Sequence, residues 1–159
     1  MRISKLLFAA AAVSLAGCDT VPPAPGPIVP PAAATSLTTA NKAPFGTFLV
    51  DSAGRAVYVL EGEHMPEGMH RCTGTCLAVW PPLMNANPMT AGAGVNAALI
   101  GSMTMQGTVP HVTYAGWPLY YYSHDTAQGD TNGQHVTDTW GTWHLLSPSG
   151  QPIRPGGGY

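Results

Sequence analysis

The 159-residue chain sets 6 Lys and Arg against 8 Asp and Glu, a net charge of −2, and only 9% of its residues are charged. Two of the basic residues, Arg2 and Lys5, stand at the very start, so the rest of the chain is more acidic still. No basic face is available to meet phosphate, which excludes nucleic acid as a natural partner.

Arg2 and Lys5 precede an apolar run from Leu6 to Val13, closed by Leu15-Ala16-Gly17-Cys18. The run is too short for a permanent span, which needs about 20 apolar residues, and it has the layout of a secretory signal. Small residues before a cysteine resemble the bacterial lipobox. Residues 1–17 are therefore expected to be a lipoprotein signal peptide, with Cys18 the lipidated residue after cleavage. Several acyl chains, palmitate among them, hold a protein stably where one is marginal, so the membrane is the first expected partner. Asp19 next to the lipidated residue resembles an inner-membrane retention signal. It favours the periplasmic face of the inner membrane over the outer membrane.

Residues 18–44 contain Pro22, Pro23, Pro25, Pro27, Pro30, Pro31 and Pro44 among small residues. Such a segment favours extended polyproline conformations and cannot bury a core. It reads as a disordered tether. Residues 45–155 then suffice for one ordinary domain, with residues 156–159 as a flexible tail. Gly and Pro interrupt every potential helix, and short β-branched and aromatic runs between turn signals predict strands. Phe48-Leu49-Val50 and Ala56 to Leu60 flank a turn containing Gly54. His111 to Tyr114 and Leu119 to Tyr122 flank a second turn containing Gly116, and Trp143 to Leu146 leads into a turn at 147–150. The expected fold is mainly β: a compact antiparallel domain of two related hairpin repeats, about 46–83 and 108–150. Placing Gly54 on Gly116 puts Tyr58 on Tyr120, Leu60 on Tyr122 and Glu63 on Asp125, an offset of 62 residues. Self-similarity at a fixed offset is the signature of a duplicated unit that buries its apolar face against its copy.

Tyr120-Tyr121-Tyr122-Ser123-His124-Asp125 carries Y-x-(F/W/Y)-x-x-D in full, and Tyr58 to Glu63 carries it loosely. Together with Cys72-Thr73-Gly74-Thr75-Cys76, Trp80-Pro81-Pro82-Leu83 and Tyr114-Ala115-Gly116-Trp117-Pro118-Leu119-Tyr120, these motifs resemble the secreted-repeat lipoprotein family. That family is described by this motif and is of unknown function. The resemblance implies an envelope location and marks Tyr58, Glu63, Tyr120, Tyr122 and Asp125 as motif residues; it implies no activity.

Cys72 and Cys76, in an oxidising compartment, read as a disulfide. An alternative uses the same segment: His64, Met65, Met69 and His70, beside the two cysteines, offer the soft ligands and imidazoles that suit copper. Trp80, Trp117, Trp140, Trp143 and the tyrosines are expected to form the core between the hairpins. Ser123, His124, Asp125 and His144 are the available acid–base groups, and no catalytic motif organises them. The chain is read as a non-enzymatic lipoprotein with a binding or structural role at the cell envelope, partnered by an envelope protein or small molecule. No cofactor is required; the alternative is a periplasmic copper-binding or electron-transfer accessory protein.

Overall fold

The computed structural model describes residues 34–64, 71–104 and 109–156. The signal peptide, Cys18 and most of the tether lie outside them, as do Met65, Met69 and His70. In chain order the elements are β1 (Ser36–Lys42), β2 (Gly46–Asp51), β3 (Tyr58–Leu60), the one-turn helix α1 (Cys76–Val79), β4 (Thr90–Ala91), β5 (Ile100–Met103), β6 (His111–Tyr114), β7 (Trp117–Pro118) and β8 (Trp143–Leu145). They form small sheets ordered β2-β1-β4, β3-β8 and β5-β6-β7, antiparallel except for the β1–β4 pair. The mainly β class is as expected.

The boundary at residue 45 is corrected. β1 lies inside the stretch expected to be linker, and pairs along the whole of β2 from Leu37 opposite Asp51 to Lys42 opposite Gly46. Ala34 and Leu37 are buried, whereas the other β1 residues are partly or fully exposed. A strand with one apolar anchor shows no alternation, so its β-branched Thr38 and Thr39 are the sole local sign of it.

The register displays the duplication and extends it. Leu37 opposite Asp51 in β1–β2 corresponds to Ile100 opposite Tyr114 in β5–β6, and Thr39 opposite Leu49 corresponds to Ser102 opposite Val112, each displaced by 63 residues. The repeats thus begin at 36 and 99 rather than at 46 and 108. Five steps lead from Leu49 to Gly54 but four from Val112 to Gly116, so the offset falls to 62 beyond the turn. Both glycines sit at positive φ, +75° and +82°, a conformation that costs glycine nothing and other residues a Cβ clash. Past them, the N–H of Val57 donates to Leu49 O at 3.3 Å and that of Leu119 to Val112 O at 3.0 Å.

Each repeat sends its last strand to the other. Leu49 N–H donates to Leu146 O at 2.9 Å, and Val112 N–H donates to Leu83 O at 2.8 Å. Tyr58 lies opposite Leu145 in the β3–β8 ladder, while Tyr120 bridges to Pro82. The first expected hairpin is present at its turn, where Val50 bridges Ala56 antiparallel and Asp51 N–H donates to Arg55 O; beyond it, β3 leaves β2 and finds its ladder in β8. The reason is burial on both faces. Val57 and Val59 enter one apolar cluster with Leu49, Leu83, Val112, Leu119 and Leu146, while Tyr58 and Leu60 enter a second with Trp80, Tyr120, Trp143 and Leu145. A strand at the centre needs hydrogen-bonded neighbours from both halves of the chain.

Candidate functional site

The motif residues meet where the repeats cross. Tyr58 and Tyr120 form an antiparallel bridge, with N–H to O distances of 2.8 and 2.9 Å in the two directions. Strict alternation turns both side chains into the same cluster, and neither ring is exposed to solvent. From there each reaches across. Tyr58 Oη donates to Asp125 Oδ2 at 2.6 Å, and Tyr120 Oη donates to Glu63 Oε2 at 3.0 Å. A tyrosine of each repeat therefore holds the acid of the other.

Each acid also fixes its own loop. Asp125 Oδ1 accepts the Asn132 N–H at 2.9 Å. Glu63 Oε1 accepts the Cys72 N–H at 2.7 Å and the Arg71 N–H as well. The Glu at the position of the motif's Asp thus keeps the role; the longer side chain reaches the disulfide loop. That disulfide is present: Cys72 and Cys76 are bonded, with Cα atoms 5.2 Å apart and both residues buried. The two sulfurs are consequently absent from any metal ligand set. Of the copper residues, His64 is described: its Nε2 lies 2.8 Å from Ala115 O and its ring packs on Trp117 with centroids 4.7 Å apart. Met65, Met69 and His70 are outside the described residues. Among those that are described, no three His, Cys, Asp or Glu side chains are grouped as a metal would require.

Around the tyrosines runs an aromatic stack. Trp80 and Trp143, at equivalent places in the two repeats, lie face to face with centroids 3.9 Å apart, and half-buried Tyr122 stacks on Trp80 at 4.3 Å. Asp138 Oδ2 accepts both indole N–H groups, at 2.9 and 3.0 Å. Sequence reasoning missed Asp138, and also missed Asp51, which it read as a turn residue. Asp51 is fully buried; it pairs with Arg55 at 2.7 Å and accepts Tyr121 Oη at 2.8 Å. One signal was available: in a chain this poor in charge, an acid at the end of a strand, such as Asp51, stands out as a candidate buried acceptor.

The electrostatics oppose acid–base work by these phenols. Burial, then the adjoining carboxylate, pushes Tyr58 and Tyr120 far above the ordinary tyrosine value, and the same causes raise Tyr121. All three therefore remain protonated donors. The other acid–base groups do not assemble: His124 packs on Tyr122, while His144 lies buried against His135 on the far side of β8 from the tyrosines. Burial lowers His144 below its usual value, and among the described residues neither of its ring nitrogens meets a hydrogen-bond partner of good geometry.

Residues 107–147, which carry most of the second repeat, match the model of a family described as a secreted repeat of unknown function, the family that the motifs resemble. No curated protein and no solved structure matches the chain. Among the described residues, no helix is long and apolar enough to cross a membrane.

Proposed function

We propose that the protein is a lipid-anchored envelope lipoprotein whose folded domain has a binding or structural role without turnover. The observation that carries this reading is the reciprocal lock: the acids and phenols of the motif satisfy one another and nearby backbone donors, with the Glu63 half buried and the Asp125 half partly buried. Groups committed in this way stabilise a fold, and they present no free base or nucleophile to a substrate. Leu15-Ala16-Gly17-Cys18 and the secreted family support the address, and Asp19 favours the periplasmic face of the inner membrane.

The test is fractionation of cells expressing the full chain or its Cys18→Ala variant, with palmitate labelling. The wild type should take label and sediment with inner-membrane markers on a density gradient. The variant should take none and either appear in the soluble periplasm or keep its signal. Equal labelling and equal sedimentation of the two would overturn the anchor.

A further inference from the structure

Asn132-Gly133 is the one Asn-Gly pair in the chain, and it lies against the lock. Packing demands the glycine: a Cβ on Gly133 would stand 2.8 Å from Tyr58 Cζ and 3.0 Å from Trp80 Cζ3. It does not demand the asparagine, which is exposed. An asparagine before glycine is prone to lose ammonia within the chain, because no Cβ keeps the glycine nitrogen from the side-chain carbonyl. Three hydrogen bonds hold the pair here. Asn132 N–H donates to Asp125 Oδ1 at 2.9 Å, Asn132 Nδ2 to His124 O at 3.3 Å, and Gly133 N–H to Tyr58 Oη at 3.3 Å. The last of these occupies the atom that would attack. Tyr58 Oη gives its own proton to Asp125 Oδ2, so the Gly133 nitrogen faces a phenol backed by a carboxylate, which opposes loss of the amide proton.

We infer that Asn132 is a site of self-modification: it is converted to aspartate or isoaspartate when Tyr58 releases the Gly133 N–H, and it is kept as asparagine while the lock is closed. The Gly133 nitrogen gives up its proton to water and attacks Asn132 Cγ. A carbon–nitrogen bond forms, the bond to Nδ2 breaks, and ammonia leaves behind a cyclic succinimide. Water then opens either carbonyl of that ring. The net change turns an amide and a water into a carboxylic acid and ammonia, with no oxidant or reductant. The product cannot rebuild the lock as it was. Aspartate puts a new carboxylate on the residue whose N–H serves Asp125, and like charges held close oppose one another. Isoaspartate adds a methylene to the main chain between the two N–H groups that Asp125 and Tyr58 receive. Conversion is therefore a one-way record that the Asp125 half of the lock has opened.

This site is independent of the anchor and of any binding role. To test it, the mature chain carrying Cys18→Ala is incubated in mildly alkaline buffer, and acid formed at residue 132 is followed by peptide mass mapping. The folded chain should hold its asparagine, whereas the chain in concentrated urea should convert. Tyr58→Phe removes the oxygen that receives the Gly133 N–H, and the folded variant should convert about tenfold faster than the wild type. Tyr120→Phe breaks the other half of the lock and leaves that oxygen in place, so it should stay within about twofold of the wild type. Should Tyr58→Phe fail to fold, the wild type in sub-denaturing urea still decides: conversion should rise in step with hydrogen exchange of the Gly133 amide. Equal acceleration by the two substitutions would overturn the proposal, because general destabilisation would then be the cause. So would a folded wild type that converts as fast as the unfolded chain, an unfolded chain that keeps its asparagine, or conversion that does not follow Gly133 exchange. Protein converted in urea and returned to buffer should unfold at a lower urea midpoint than unconverted protein handled alike; equal midpoints would contradict the one-way record.

Discussion

Tyr58 and Tyr120 are bonded to each other through their backbones, and each gives its hydroxyl to the acid of the opposite repeat, Asp125 at 2.6 Å and Glu63 at 3.0 Å. In this chain the Tyr and the acid five residues after it, in each repeat, are thereby explained as halves of a reciprocal lock. The tyrosine and the acid five residues later do not serve one another; each needs the other copy.

Removing one hydroxyl should break one half of the lock. A hydrogen bond to a charged group contributes about 1.5–3 kcal/mol, so Tyr58→Phe and Tyr120→Phe should each lower the unfolding free energy by that amount in urea titrations. Tyr122, the half-buried third tyrosine of the run, has no hydroxyl partner among the described residues and stacks on Trp80 through its ring. Tyr122→Phe should therefore change stability by less than about 0.5 kcal/mol. Equal losses for all three would mean that ring packing, not the carboxylates, carries the effect.

Glu63 collects donors on both oxygens: Tyr120 on one, and the N–H groups of Arg71 and Cys72 on the other. In Glu63→Gln, one of these positions becomes an amide N–H₂ facing a donor. The expected cost is about 2–3 kcal/mol, with faster reaction of the Cys72–Cys76 disulfide toward a small thiol reductant. A variant as stable and as resistant as the wild type would show that Glu63 does not hold the disulfide loop.

The disulfide closes a very short loop. On the chain-entropy account it contributes about 2 kcal/mol, which the double substitution Cys72→Ser and Cys76→Ser should remove without changing the fold. Both cysteines are buried, so the native protein should show no reactive thiol, and reduction should proceed faster in urea than in buffer.

His144 gives the pH dependence a sign. Its folded value lies below the ordinary one because burial disfavours the imidazolium, and Glu61 at 3.9 Å opposes this without reversing it. The unfolded chain therefore binds the proton first. The contribution of His144 is complete above about pH 6.5 and is lost as the pH falls from there through the folded value. Urea midpoints measured from pH 7.5 to 5 should fall more steeply for the wild type than for His144→Leu. Parallel profiles would contradict the assignment.

Much of this was legible in the sequence because it is local. Gly54 and Gly116 mark turns, Tyr58 and Tyr120 fall in register behind them, and the Cys72–Cys76 spacing suits a bridge. Other features left no local trace. β1 looks like tether because one face stays partly exposed and Leu37 alone anchors it. The exchange of Trp80–Leu83 for Trp143–Leu146 is a choice between distant partners with nearly the same apolar pattern, and alternation cannot distinguish them. Asp138 binds two indoles that stand 63 residues apart in the chain, a relation visible once the repeats are interlocked.

The interlock is the central claim, and dividing the chain between Gly94 and Val95 tests it most directly. Each fragment holds one repeat without the strand that completes it: 18–94 lacks Trp143–Leu146, and 95–159 lacks Trp80–Leu83. Alone, each should give collapsed amide dispersion in its NMR spectrum. Mixed in equal amounts, they should recover the spectrum of the intact domain, including the resonances of Tyr58 and Tyr120. A fragment that shows native-like dispersion by itself would mean that a repeat completes its own sheet, and it would contradict the exchange.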